Sequence, residues 1–351
     1  MRALGAWYDT SARPLPWRAT RDPYAVWVSE VMLQQTRVET VVPYYGRFLA
    51  RFPTAAALGA APLEDVLAAW SGLGYYRRAR SLWLAAREVC ERWGGRLPGS
   101  AAELATLSGV GAYTAGAVAS IAFDAKEPLV DGNVARVLAR LAAIDVPVAA
   151  GAGRRALWDL ARALVPARAP GRFNQALMEL GATICTPARP ACGRCPVASL
   201  CAARARGSPE ALPVTTSRRP PEPVALVAAV AFAGAEVWLG RRTLGGLYAG
   251  MWEPPMVPAG SLRGARSALR GCGLPATLRF RACGELEHAL THRRLTLRVV
   301  LTRTRRAGAA VVSPSTPYAA FAWQPRAELP RAMSTLARRV LALAERAEGA
   351  A

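Results

Sequence analysis

From Trp7 to about Ala203 apolar residues recur three and four positions apart, with breaks at Pro43, Pro53, Pro62, Gly94 and Pro98. That spacing lines one face of a helix, so the first half of the chain is predicted to be all-α. The periodicity stops at Arg206–Pro223 (RGSPEALPVTTSRRPPEP), where five prolines and few apolar side chains predict an extended linker. Past it, the runs Val224–Val230, Glu236–Leu239 and Leu295–Leu301 read as strands, and helical spacing returns near Leu262–Arg270 and Ala332–Ala347. The second half is therefore expected to be α+β. No internal repeat is evident.

Length agrees with two units, because 351 residues are enough for two domains that each bury a core. With 52% hydrophobic and 20% charged residues the chain has the apolar surface to fold. Charge changes the picture more. Lys and Arg total 45 against 24 acidic residues, a net charge of +21, and every basic residue except Lys126 is Arg. An excess of that size concentrates polyanions at the surface and releases their counterions, so nucleic acid is the natural partner. An arginine-rich composition with no specific role is the alternative. Met1–Trp17 has no continuous apolar segment of secretory type, and the most apolar stretch, Val224–Leu239, is interrupted by Gly234 and Glu236. These features predict a soluble, cytoplasmic monomer, nucleoid-associated and without a membrane partner.

Four of the seven cysteines, Cys185, Cys192, Cys195 and Cys201, follow the spacing C-x6-C-x2-C-x5-C. Thiols so clustered suit metal ligation in a reducing compartment better than a disulfide framework. Short loops of this kind wrap four thiolates around one inorganic centre, and a [4Fe-4S] cluster is expected. Zinc is the competing metal, but its four-thiolate sites usually come as two C-x2-C knuckles and this window has one. Cys90, Cys272 and Cys283 are expected to pack structurally.

Two acidic residues are candidates for chemistry. The string LSGVGAYTAG (Leu107–Gly116) joins two helical stretches through Gly109 and Gly111, and Asp131 follows 18 residues after Tyr113 in VDGNV. Glycine lets backbone amides point outward together at the positive end of the next helix, so the turn can hold a DNA phosphate. Read alone, it is also an ordinary helix–helix turn, and Asp131 is also a helix N-cap, a role its neighbour Asn133 could share. Glu30 is a lone acid among the apolar residues of VSEVMLQQT (Val28–Thr36), and an exposed Glu on a helix face is its plain alternative.

In combination these strings are more specific. LPWR (Leu15–Arg18), the Ser29–Thr36 string, GLGYY (Gly72–Tyr76), the glycine hairpin, VDGNV and the cysteine loop occur in the order seen in the MutY glycosylases. They resemble that family of helix-hairpin-helix iron-sulfur enzymes over about residues 7–205. The resemblance implies a glycosylase domain over 1–205 that flips adenine mispaired with 8-oxoguanine or guanine out of double-stranded DNA and excises it in base excision repair. Its cluster loop would span 185–201 and hold a basic loop against DNA. The resemblance makes Glu30 the general acid and Asp131 the stabiliser or nucleophile, with Tyr113 and Asn133 as hydrogen-bonding supports. Leu15, Trp17, Arg18 and Gln175 would lie near the flipped adenine, Gln35 and Tyr75 in the DNA stack, and Gly109 and Gly111 on the phosphate. Core packing is the alternative for Leu15, Trp17, Arg18, Gln175, Gln35 and Tyr75, most of all for Trp17 and Leu15.

The chemistry asks for two carboxyls in different environments. Cleaving an N-glycosidic bond builds positive charge on the sugar, which a carboxylate stabilises or traps, while the departing adenine needs a proton from an acid of raised pKa. Bifunctional enzymes of the superfamily place a lysine where this chain has Tyr113, so monofunctional excision is expected over an endonuclease III-like lyase. A non-catalytic iron-sulfur DNA sensor is the reading from a different class.

GGLYAGMWEPP (Gly245–Pro255) resembles the entry to a Nudix fold, expected over residues 224–346 after a linker at 206–223. A Nudix hydrolase needs a glutamate-rich helix for magnesium, and Pro254–Gly284 contains no Asp or Glu. Binding is therefore expected in place of hydrolysis. The segment EHALTH (Glu287–His292) resembles the 8-oxoguanine recognition hairpin of MutY proteins, with Leu290, Thr291 and His292 in place of the common Phe-Ser-His. Thr291 keeps a hydroxyl for the lesion, but Leu290 cannot stack as a phenyl ring would.

Overall fold

Helices dominate the first half because its apolar stretches are bounded by residues that satisfy their ends. In the computed structural model, residues 2–215, 220–258, 268–274, 278–305 and 316–349 are described. Among the described residues, nine helices of ten or more residues are numbered in chain order: α1 (Arg2–Ser11), α2 (Pro23–Leu33), α3 (Val38–Arg51), α4 (Arg77–Trp93), α5 (Ala112–Phe123), α6 (Gly132–Leu141), α7 (Gly151–Leu164), α8 (Pro170–Thr183) and α9 (Thr335–Gly349). Asp22 starts α2, its carboxylate accepting from the backbone N–H groups of Tyr24 and Ala25, with Pro23 pre-set for the first turn. The helix is then buried from Tyr24 to Met32, and α5 is buried from Thr114 to Ile121. A helix apolar on all sides sits inside a bundle, and α2 packs on α5, which with α6 packs on α8.

Packing divides the chain into two compact units: Met1–Ala60 with Ser81–Arg218, and Ala61–Arg80 with Arg219–Ala351. The first is helical. Its last stretch includes a 3-10 turn at Pro209–Ala211, and the carbonyl of Leu212 accepts from the buried guanidinium of Arg140 at 2.9 Å.

The second unit is built on a sheet of seven described strands: β1 (Glu222–Ala233), β2 (Glu236–Arg242), β3 (Trp252–Glu253), β4 (Met256–Pro258), β5 (Arg281–Ala289), β6 (Arg293–Arg303) and β7 (Tyr318–Pro325). The order is β3-β2-β1-β6-β5, with β4 also pairing β1 and β7 pairing β2. β1 runs parallel to β6, with Val224 opposite Leu295, and antiparallel to β2. Alternate β1 residues face opposite sides: Ala228, Val230 and Phe232 pack with Leu336, Val340 and Leu341 of α9, while Val227, Ala229 and Ala231 meet Trp238, Cys272 and Tyr318. Burial on both faces explains why β1 reads as a continuous apolar run. The three sequence-predicted strands fall on β1, β2 and β6, and the helix expected at 332–347 is α9. Most of the helix expected at 262–270 lies outside the described residues. The architecture is a helical domain followed by an α+β one. Among the described residues no helix is long and apolar enough to cross a membrane.

Candidate active site

Because α2 is apolar almost throughout, Glu30 is carried inside with its neighbours and is 4% exposed. Burial pushes its carboxyl up to about 7; Tyr113 donates its hydroxyl to Oε2 at 2.5 Å and pulls down, the Asp131 charge pushes up, and the Arg18 cation pulls down. Glu30 is thus poised to hold a proton near neutrality. Tyr113, in the first turn of α5, also reaches Met178 Sδ at 3.6 Å. Its own phenol is raised well above the ordinary value by burial and the Glu30 charge.

Asp131 is the N-cap of α6. Its Oδ1 accepts from the Val134 backbone N–H at 2.7 Å and its Oδ2 from Asn133 Nδ2 at 3.0 Å. Burial raises its pKa, and those donors oppose the rise. Asn133 is held in turn, because its Oδ1 accepts from Arg136 Nη2 at 2.8 Å, and the same guanidinium donates to the carbonyls of Gly181 at 2.8 Å and Cys185 at 2.6 Å. A Cβ on Gly181 would lie 2.6 Å from Asn133 Cβ, so α6 and α8 meet closely only because residue 181 has no side chain.

Glu30, Tyr113, Asp131 and Asn133 line one cavity of about 620 Å³. Leu15, Trp17, Arg18, Gln35 and Gln175 line it too, so residues the sequence assigned to chemistry and to an adenine pocket share one space. Trp17 is 7% exposed and packs edge-on to Tyr45 at 5.5 Å, so it fills the core as well as walling the cavity. A larger hollow of about 770 Å³, floored by Ala112, Ala115 and Gly116 in the same unit, contains neither Glu30 nor Asp131. The smaller one carries the carboxyl pair. At the turn before α5, Gly109 has a φ of +76°, and a Cβ there would sit 2.4 Å from Ser81 Cβ. Gly111 is the N-cap and has open space beside it, leaving the amide end of α5 free to meet an anion.

All four cysteines of the 185–201 loop are half-buried. Arg140 Nη1 donates to Cys185 Sγ at 3.3 Å and to the Thr186 carbonyl at 2.7 Å, Nη2 donates to the Pro187 carbonyl at 2.9 Å, and Cys201 Sγ donates to the Arg140 carbonyl at 3.4 Å. Burial pushes the Cys195 thiol up, and so do charges on Cys185, Cys201 and Cys192, so the four sulfurs sense one another. Among the described residues no group of three or more His, Cys, Asp or Glu is arranged to hold a metal ion. Arg140 thus ties the two ends of the loop, at Cys185 and Cys201, and four thiols in one short loop are the donor type that an iron-sulfur cluster takes.

Remaining candidates lie in the second unit. Leu290, at the turn between β5 and β6, donates its N–H to the Arg293 carbonyl at 2.7 Å and packs partly against the sheet core. Thr291 Oγ1 stands 3.0 Å from the hydroxyl of Tyr75, and His292 is exposed. Tyr75 is 45% exposed at a φ of +48°. Sequence reasoning missed Arg13, Arg136, Arg140 and Glu179. The signal for the last two was available: a charged residue inside an otherwise apolar helical stretch, the same signal that drew attention to Glu30.

A carboxyl pair lining one cavity of a helix-hairpin-helix unit, in a chain that also carries a Nudix-like sheet, defines a base-excision glycosylase. Residues 28–163 match the family described as HhH-GPD superfamily base excision DNA repair protein, and residues 227–343 match the NUDIX domain. The chain is 42% identical to adenine DNA glycosylase of Homo sapiens over 85% of its length and 65% of the relative's. Against the Rattus norvegicus protein of that name the values are 42%, 85% and 69%, and against the Mus musculus one 41%, 89% and 72%. A solved thermostable thymine-DNA glycosylase is similar in structure, with a TM-score of 0.53 at 32% identity over 58% of this chain and 94% of that one. The chain belongs to the adenine DNA glycosylase family, hydrolases of N-glycosyl bonds.

Proposed function

We propose that this protein excises adenine mispaired with 8-oxoguanine, or with guanine, from duplex DNA, and that it does so as a monofunctional glycosylase. The observation that carries the reading is the sharing of one cavity by a Glu near neutrality and an Asp, with Tyr113 between α2 and α8 where a lyase would need an amine. A flipped adenine enters the cavity beside Leu15, Trp17, Arg18 and Gln175. Glu30 gives its proton to N7 as the C1′–N9 bond breaks, the bonding electrons leave with the base, and Asp131 meets the positive charge on the sugar. Water then adds at C1′ and gives up a proton to the ionised Glu30, which restores the acid. Tyr113 and Asn133 hold the two carboxyls in place, and Gly109 and Gly111 present backbone amides to a phosphate.

Cys185, Cys192, Cys195 and Cys201 would hold a [4Fe-4S] cluster, which supplies a rigid support for the basic loop that carries Arg189 and Arg194. Gln35 and Tyr75 enter the base stack, and Leu290, Thr291 and His292 face 8-oxoguanine. The division of labour is a glycosylase domain at 1–205, a linker at 206–223 and a lesion-reading domain at 224–346, working as a monomer on DNA in the cytoplasm. Incubation with an 8-oxoguanine:adenine duplex is expected to release free adenine and leave an alkali-labile site. Intact substrate with folded, cluster-loaded protein overturns the reading, and a borohydride-trapped adduct would move it to a lyase.

A further inference from the structure

A third carboxylate borders the cavity, and the chemistry above does not use it. Glu179, in the middle of α8, has no exposed side-chain surface and yet is fully ionised in character: its carboxyl is held down at about 2 by Arg13 and Arg18 against the cost of burial. Arg13 donates three times, through its backbone N–H to Oε1 at 3.1 Å, Nε to Oε1 at 2.8 Å and Nη2 to Oε2 at 2.8 Å. Arg18 adds a fourth bond, from Nη2 to Oε2 at 2.7 Å, and fixes its other nitrogen, Nη1, on the Arg13 carbonyl at 3.0 Å. The Arg18 guanidinium also lies over the Tyr8 ring, 5.4 Å from its centroid, and Tyr8 donates its hydroxyl to Gln175 Oε1 at 3.2 Å. One buried anion therefore sets the position of Arg18 and, through Arg18 and Tyr8, the setting of Gln175.

Arg18 and Glu30 wall the same cavity, and a cation there favours loss of the Glu30 proton. Resting on the reading of Glu30 as general acid, we infer that Glu179 is a positioning residue: it pins Arg18 and offsets its charge, so that Glu30 keeps its proton until the base departs. The charged and titratable groups that face Glu30 are Tyr113 from α5, Asp131 at the start of α6 and Arg18 from the 3-10 turn Pro16–Arg18. Only the last answers to Glu179.

Single-turnover excision of adenine opposite 8-oxoguanine, measured against pH, tests this. In Glu179→Gln the Arg18 charge is no longer offset, so the alkaline limb is expected to move to lower pH by about one unit, and the ratio of variant to wild-type rates is expected to fall about tenfold between pH 5.5 and pH 8. A purely structural loss would lower the rate by the same factor at every pH and leave the limb in place, and that outcome overturns the inference. Should Glu179→Gln fail to fold, Arg18→Gln carries the test with the opposite sign, because removing the cation should move the limb to higher pH. An unmoved limb in Arg18→Gln overturns the inference as well. Wild-type protein in the same assay separates the two readings, since its failure to release adenine counts against the proposed activity and leaves the limb unmeasured only for that reason.

Discussion

Each unit of the molecule buries a glutamate that accepts a tyrosine hydroxyl, and the two are put to opposite use. In the helical unit, Glu30 takes its bond from Tyr113 and opens on a cavity shared with Asp131. In the sheet unit, Glu253 on β3 is fully buried; its Oε1 accepts from Tyr318 at 2.8 Å and from Arg242 Nε at 2.7 Å, and its Oε2 finds no partner among the described residues. Burial raises both carboxyls, with Arg242 and Tyr318 opposing it at Glu253. The difference lies in what else is present. A fixed counter-charge makes Glu253 a tie between strands, whereas the space beside Glu30 leaves its proton available to a ligand. A buried acid is a candidate for chemistry when it borders a cavity and lacks a dedicated cation.

The largest effect that would sharpen this contrast is on chemistry. Glu30→Gln is expected to slow adenine release about 1000-fold or more in single-turnover assays, with duplex binding retained in gel-shift measurements. Stability should not suffer. Between pH values of about 4.5 and about 7 the folded chain keeps a proton on Glu30 that the unfolded chain has released, so stability falls as pH rises through that window. Urea titrations of Glu30→Gln should lose this slope. If Glu30→Gln unfolds the protein instead, the contrast breaks.

Glu253→Ala should do the reverse. It strands Arg242 without a counter-charge and is expected to cost about 3 kcal/mol of unfolding free energy in denaturant titrations, while protein that remains folded still releases adenine. Gly181→Ala is expected to fall between the two. Its methyl would push Asn133, the support of Asp131, and a displacement of that kind lowers excision about 100-fold with a smaller loss of stability. Smallest of all is the effect of the phenols. Tyr113→Phe removes the donor that holds the Glu30 pKa down, so the alkaline limb of excision should move up by about one pH unit. Tyr318→Phe should lower stability by about 1–3 kcal/mol and leave that limb where it is.

The helical and strand elements were legible because each leaves a local imprint: period 3.6 along α3, α4 and α7, an unbroken apolar run for α2 and α5, and a two-faced apolar run for β1. Glu30 was legible for the same reason, as a charge where the pattern calls for an apolar side chain. What remained hidden joins residues far apart in sequence. Glu179 lies 166 positions from Arg13, and Thr291 lies 216 from Tyr75. No periodicity records such partners. The charge of Arg140 stands out in its helix, but its partners, the carbonyls of Thr186, Pro187 and Leu212, are far along the chain, and the close passage of α6 against α8 at Gly181 exists only once both helices are packed.

Asp131 illustrates how early the site is made. Its carboxylate starts α6 by accepting from Val134 and is steadied by Asn133, so the bonds that begin a helix are the bonds that orient the group in the cavity. The rotational freedom of that side chain is lost during folding and not when DNA arrives, and the entropy of aiming it is charged to the native state in advance. In the proposed reaction, a flipped base would therefore meet an electrostatic partner whose orientation no longer has to be selected.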